Sequence, residues 1–258
     1  MKFYFSCRDS IAIKEVKEKI KKELIEKGLI YSNDKPDIVI SIGGDGTFLR
    51  TIHNYLDLNP LFANINYGNL GYLCEYTSKE LEEFILDLLS VKHGEKEISL
   101  LEGHYKDKKI YALNEIRVEA QKGETIVFDV FINDTYLETL KSDGCLISSS
   151  IGSSAMARSL GGAIVDNEVE MIEFVEKAPI QNRSYNSIRS AFVLEKHKEI
   201  TLRNFKNKSI SIFYDSKNDS LSNYQGEIKI KLSNKKIRVL KNKRNNYIRK
   251  THEAFIND

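Results

Sequence analysis

Apolar and polar positions follow two different periods along this chain, and the change comes about a third of the way in. In the first third, short apolar runs are separated by stretches with helical spacing. Residues 3–6 read as a strand. Over residues 11–27, Ile13, Val16, Ile20 and Leu24 share one helical face, and Gly28 follows as a C-terminal stop. Residues 37–42 predict a second strand, then a glycine turn and a helix to about Tyr55, then a third strand over 61–65. Ser78 is placed to cap a helix whose apolar side holds Leu81, Phe84, Ile85, Leu88 and Leu89. Strand–helix alternation of this kind predicts a mostly parallel α/β sheet.

Beyond Gly94 the runs are short, rich in Ile, Val and Phe, and divided by polar turns. Residues 97–105, 109–118, 126–132, 190–194 and 208–213 predict an antiparallel β domain. A Ser/Gly tract over 148–162 interrupts it. There Gly161-Gly162 is expected to end a helix and return the chain to a strand at 163–165. The basic stretch 238–250, with Lys241, Lys243, Arg244, Arg249 and Lys250, reads as a solvated edge and helix end, with phosphate steering as the alternative.

Composition narrows the class. The 258 residues, 41% hydrophobic and 29% charged, suffice for one large domain or two smaller ones. A formal net charge of +2 gives no reason to expect a nucleic-acid partner. Neither a membrane-spanning segment nor an export signal is evident. Cys7, Cys74 and Cys145 have neither pairing nor metal-ligand spacing and read as reduced thiols of a cytosolic protein. His53, His93, His104, His197 and His252 are scattered, so no protein metal cage is predicted; Mg²⁺ carried mainly by substrate phosphates is the economical expectation.

The chemistry concentrates in Ser41-Ile42-Gly43-Gly44-Asp45-Gly46-Thr47-Phe48-Leu49. Gly43, Gly44 and Gly46 leave backbone N–H groups open where a helix N-terminus favours anions. An aspartate among them repels phosphate, which suggests a carboxylate placed to take a proton from a hydroxyl. The structural alternative is an Asx-turn that caps the helix. Arg50, one turn on, reaches toward the same anion or makes a surface ion pair. Asn66-Tyr67-Gly68-Asn69-Leu70-Gly71 is a second strand-end turn, open between a plain turn and a nucleotide contact with Asn66 and Gly68. Asn114-Glu115 interrupts an apolar strand and needs partners, from a ribose or adenine or from a bulge. Asp143-Gly144, a short apolar strand and Ser148-Ser149-Ser150-Ile151-Gly152-Ser153-Ser154-Ala155 suit a phosphate or sugar turn, or a simple Ser-rich loop.

In this order the motifs resemble the bacterial-type NAD kinases. The stretches that carry the likeness are Gly43-Gly44-Asp45-Gly46-Thr47-Phe48-Leu49-Arg50, Asn66-Tyr67-Gly68-Asn69-Leu70-Gly71-Tyr72-Leu73, Leu113-Asn114-Glu115, Asp143-Gly144 through Gly152-Ser153-Ser154-Ala155 to Gly161-Gly162, and Ala178-Pro179-Ile180. The resemblance implies an N-terminal α/β domain over 1–93 and 237–258 and a C-terminal all-β domain over 94–236, with the C-terminal segment returning to the first. It implies that Asp45 takes the proton of the 2′-hydroxyl of the adenosine ribose of NAD, which then attacks ATP or inorganic polyphosphate. Gly46 and Arg50 would lie beside the nucleotide, and Asn114 and Glu115 would hold the adenosine half. Lys141 and Asp143 would contact the second nucleoside portion. Ser154, Ala155, Met156, Ala157, Arg158 and Ser159 would line the adenine and nicotinamide pockets. A cytoplasmic homodimer or homotetramer, with sites between domains and drawing on a neighbouring subunit, is also implied. The chain departs from the family pattern where Met156 replaces a stacking tyrosine, Gln181-Asn182 a Pro-His pair, and Asp215-Ser216-Lys217 an Asp-Gly-Gln. The rival readings are a lipid kinase of the diacylglycerol or sphingosine type, which shares the glycine-turn aspartate, and a non-catalytic NAD(P) sensor.

Overall fold

The computed structural model describes residues 1–7, 10–68, 71–90, 94–121, 123–206 and 209–256. Asn69, Leu70, His93 and Lys208, on which readings above fall, lie outside them. The chain divides into two compact units, one of Met1–Ile98 with Lys236–Asp258 and one of Ser99–Lys235.

The first unit runs β1 (Lys2–Cys7), α1 (Ile11–Glu26), β2 (Ile30–Tyr31), β3 (Ile38–Ile42), α2 (Asp45–Tyr55), β4 (Leu61–Asn66), β5 (Tyr76–Thr77) and α3 (Leu81–Leu89). Ser10 caps α1 by accepting from Ile13 N at 3.2 Å, and Ile13, Ile20 and Leu24 are buried. Gly28 at φ +87 closes the helix, with Leu29 N donating to Leu24 O at 3.0 Å. All five residues of β3 are buried, as an interior parallel strand requires. It pairs in parallel with β1 and β4. α3 starts later than expected: Glu80, not Ser78, is its N-cap, and Glu80 O accepts the first helical bond, from Phe84 N at 2.9 Å.

The strands that follow are β6 (Glu95–Tyr105), β7 (Lys108–Ala112), β8 (Glu115–Ala120), β9 (Ile126–Ile132), β10 (Thr135–Ser142), β11 (Gly144–Ser149), β12 (Met171–Lys177), β13 (Phe192–Glu195), β14 (Glu199–Arg203), β15 (Ile210–Tyr214), β16 (Lys217–Leu221) and β17 (Ile228–Leu240). Between β11 and β12 lie a 3₁₀ turn (Ile151–Ser154) and the short α4 (Met156–Ser159); α5 (Tyr247–Phe255) ends the chain. In the second unit, one antiparallel sheet has the order β13-β12-β11-β8-β15-β16. β10, β9, β14 and the start of β17 pair antiparallel beside one another. Ile116, Ile147, Phe174 and Ile212 from the first set and Phe128, Val130, Leu202 and Ile230 from the second share one core. The last residues of β17 return to the first unit, where Arg238 and Val239 pair in parallel with Leu61 and Phe62 of β4. No helix among the described residues is long and apolar enough to cross a membrane.

Two expected strands are corrected by side chains that intercept backbone donors. Residues 109–118 form two strands rather than one, since Leu113 N and Asn114 N donate to the Asp215 carboxylate at 2.7 and 2.8 Å. Residues 163–165 form no strand: Ala163 N donates to Glu173 Oε1 at 2.7 Å and Val165 N to Ser153 Oγ at 3.0 Å.

The second unit also buries a carboxyl pair, Glu138 and Glu176, 6% and 7% exposed. Glu138 Oε2 accepts from Ile188 N at 2.9 Å, and Glu176 Oε2 from Arg189 N at 3.1 Å and Ser187 Oγ at 3.2 Å. Burial first, then the neighbouring Glu176, pushes Glu138 up to about 7. The folded chain therefore holds a proton that the unfolded chain releases near pH 4.5, so this group's contribution to stability falls as pH rises from there through about 7. Glu138→Gln, which keeps an acceptor for Ile188 N, is expected to be more stable than the parent at pH 8 by about 2 kcal/mol and to lose that advantage at pH 5. Urea unfolding at the two pH values measures this; an equal difference at both would contradict a proton held on Glu138 in the fold.

Candidate functional site

In the first unit the turn between β3 and α2 is built for close backbone approach. Gly43, at φ +151, donates to Ile65 O at 3.0 Å; a Cβ there would stand 2.6 Å from Thr47 Oγ1. Gly44 is the N-cap and Asp45 the first helical residue. Asp45 does not cap its own helix. Its Oδ2 accepts from Tyr72 N at 2.9 Å and its Oδ1 from Leu73 N at 3.0 Å, with Cys74 Sγ 3.7 Å from Oδ1. Burial pushes its carboxyl above the ordinary value, while the Leu73 and Tyr72 N–H groups, the Cys74 thiol and the Lys250 ammonium pull it back. The result is a half-buried carboxylate, fixed from both sides, at the positive end of a helix.

Arg50 is exposed, and its Nη2 donates to Thr47 Oγ1 at 3.1 Å, which keeps the guanidinium beside the glycine turn. Asn66, buried at the end of β4, and Gly68, at φ +151, enter the second turn. Gly71 was not singled out from the sequence, yet a Cβ on it would lie 3.1 Å from both Asp45 Oδ1 and Asn66 Cγ. The basic stretch divides: Arg238, Arg244 and Arg249 pair with Glu95, Asp87 and Glu253. Lys250 instead bonds the carbonyls of Tyr72 and Cys74, beneath the residues that hold Asp45. Its only sequence signal was membership of the basic stretch.

In the second unit the corresponding construction surrounds Asn114 and Glu115, each 8% exposed at the start of β8. Asp215 grips the backbone of 113–114 from one side. From the other, Ser149 N and Ser148 Oγ donate to Asn114 O at 2.9 and 3.3 Å, and Ser149 Oγ to Leu113 O at 2.6 Å. Asn114 and Glu115 are left with acceptors to spare: the buried Asn114 Oδ1 and Glu115 Oε2 have no hydrogen-bond partner among the described residues. Burial, then the charge of Asp215, pushes Glu115 up to about 7, against the pull of Arg117. Two buried acceptors without donors suit a ligand that brings hydroxyl or amino hydrogens. Asp215 is a further residue the sequence reading did not assign; the expected Asp-Gly-Gln position was the available signal.

The remaining residues are spread along the neighbouring segments. Ser154 and Ala155 are half-buried, Met156, Arg158 and Ser159 exposed, and the Ala157 side chain is packed against Leu146 and Val175 in the core. Lys141 holds its ammonium 5.1 Å from the Tyr185 ring centroid, and Asp143 is exposed between β10 and β11. Among the described residues no three His, Cys, Asp or Glu side chains gather to hold a metal ion.

Comparison with known proteins agrees across the whole chain. Residues 3–93 match the ATP-NAD kinase N-terminal domain and residues 113–242 the ATP-NAD kinase C-terminal domain. A protein of Oceanobacillus iheyensis named NAD kinase 1 is 31% identical, over all of this chain and 99% of its own length. An NAD kinase of Shouchella clausii is 30% identical over the full length of both. In fold the chain is similar to yeast NADH kinase complexed with NADH (TM-score 0.84, 18% identity, 100% of this chain and 88% of that one). It is similar also to an NAD kinase from Archaeoglobus fulgidus in complex with ATP (TM-score 0.75, 22% identity, 94% of each). Two family domains in their proper order, around a glycine-turn carboxylate and a buried Asn-Glu pair, place this chain in the NAD kinase family.

Proposed function

We propose that the protein transfers a phosphoryl group from ATP or inorganic polyphosphate to the 2′-hydroxyl of the adenosine ribose of NAD, giving NADP. The observation that carries this reading is the Asp45 carboxylate, fixed through Tyr72 and Leu73 at a helix N-terminus. Asp45 takes the hydroxyl proton as the 2′-oxygen attacks the terminal phosphorus in line and the donor's bridging oxygen leaves. A ribose hydroxyl is a weak acid, so placement of the carboxylate within hydrogen-bond reach counts for more than its resting pKa. The N–H groups of Asp45 and Gly46, which open α2 and have no partner within the helix, offset charge that develops on the phosphoryl oxygens. Mg²⁺ would arrive on the donor phosphates and neutralise charge there. Asn114 and Glu115 accept from the adenosine half, and the oligomeric and cytoplasmic readings rest on the family resemblance.

The test is incubation of the purified protein with NAD, Mg²⁺ and either donor, read by an NADP-specific dehydrogenase. NADP formation with one donor supports the reading and identifies the donor. Folded protein that makes none with either would sink it. Binding carries its own expectation: the ionised Glu115 carboxylate accepts from the ribose, so NAD affinity falls as pH drops through about 7. Calorimetric titration at pH 8 and pH 6 is expected to show about a tenfold weakening, absent in Glu115→Gln.

A further inference from the structure

α5 buries none of its own residues, yet it is tied closely to the segment that holds Asp45. Asn246 caps it, accepting from Ile248 N at 2.9 Å and Arg249 N at 3.2 Å. One turn on, the Lys250 ammonium donates to the carbonyls of Tyr72 and Cys74, and Thr251 Oγ1 lies 2.7 Å from the Tyr72 hydroxyl. The Tyr72 ring meets Tyr247 edge-on at 5.5 Å and Phe255 at 5.9 Å. The same peptide stretch turns its N–H groups, Tyr72 and Leu73, to the two oxygens of Asp45. A cavity of about 350 Å³, with Asn66, Gly71 and Cys74 on its lining together with Asn246 and Lys250, leaves this region open rather than close-packed. Hydrogen bonds and the ring contacts of Tyr72, rather than a buried apolar face of α5, therefore fix the distance between α5 and the 72–74 backbone.

We propose that Lys250 is a positioning residue for catalysis: it clamps the carbonyls of Tyr72 and Cys74 so that the N–H groups of Tyr72 and Leu73, on the same stretch, hold the Asp45 carboxylate ready to accept a proton. The inference rests on Asp45 being the general base. The charged and titratable groups around that carboxylate are Cys74 and Lys250, with Arg50 one turn along its own helix. Lys250 favours the ionised form directly through its charge and indirectly through the two N–H donors it aligns. Loss of the ammonium leaves burial less opposed, so Asp45 protonates at higher pH.

The experiment compares kcat, KM for NAD and the kcat–pH profile of the parent, Lys250→Met, Lys250→Arg and Thr251→Val. Lys250→Met is expected to lower kcat about tenfold to hundredfold with KM within about twofold. Its acidic limb should move to higher pH by about half a unit. Lys250→Arg, which can donate to both carbonyls, should restore both values. Thr251→Val, which removes the bonds to the Tyr72 hydroxyl and to Tyr247 O but leaves the Lys250 clamp, should move the limb the same way by less. An unmoved limb in Lys250→Met overturns the inference, as does a rise in KM alone. If Lys250→Met fails to fold, an unmoved limb in Thr251→Val overturns it. Asp45→Asn separates the two claims: near-parent turnover there removes the general-base reading, whereas lost turnover there with an unmoved Lys250→Met profile removes only the positioning role.

Discussion

Asp45→Asn should lose about two to four orders of magnitude in kcat while NAD still binds, because an amide cannot take the 2′-hydroxyl proton. The substitution is not silent structurally. Both carboxylate oxygens accept from backbone N–H groups, Tyr72 at one and Leu73 at the other. An amide offers one acceptor and one donor, so one of those N–H groups would face another donor. That mismatch should cost about 1–3 kcal/mol and lower the melting temperature by a few degrees. The buried acceptors of Asn114 and Glu115 are untouched, so NAD titration should give an affinity within a fewfold of the parent. Steady-state kinetics beside a thermal melt reads all three quantities. Turnover near the parent's would remove the general-base assignment.

Gly152→Ala should have the largest effect on binding. A Cβ at this position would sit 2.1 Å from Asn114 O, 2.4 Å from its carbonyl carbon and 2.7 Å from its Cα. All three are backbone atoms, and none has room to retreat. Asp215 holds Asn114 N, while Ser149 N and Ser148 Oγ hold Asn114 O. One methyl group must therefore break this box, at a cost of about 3 kcal/mol, and carry the Asn-Glu pair out of place. NAD affinity should fall by about a hundredfold, seen by calorimetry on protein that circular dichroism shows to be folded. Gly46→Ala is the informative contrast, since among the described residues its Cβ would meet only Arg50 Nη1, at 3.8 Å. Unchanged stability with lost activity there would show that substrate approaches the Gly46 backbone.

The parallel sheet of the first unit was legible because β1, β3 and β4 are short apolar runs bounded by turn residues and helical periods. The glycine turn was legible for the same local reason. What remained hidden depends on partners distant in sequence. The break at Leu113-Asn114 is enforced by Asp215, and the irregular path of 163–165 by Glu173 and Ser153. Neither segment's own composition argues against a strand; the donors are taken by side chains that only tertiary structure brings near. Lys250 illustrates this at the site. Its neighbours Arg244 and Arg249 make the surface ion pairs that a basic helix end predicts, whereas its own ammonium is committed to two carbonyls. Asp45 itself was assigned from its glycine neighbours, but nothing local revealed that residues 72 and 73 would hold it.

The first unit is discontinuous, made of Met1–Ile98 and Lys236–Asp258, and this sets an order of events on the ribosome. Lys250 is synthesised 176 residues after Cys74, whose carbonyl it binds. At ordinary elongation rates that is about 10 to 35 s during which the nascent chain carries its glycine turn without the helix that braces it. Residues 99–235 are contiguous and can complete their core within that interval. The β unit of residues 99–235 can thus be finished before Lys250 reaches the carbonyls behind Asp45, and the brace on that carboxylate is the later of the two to form.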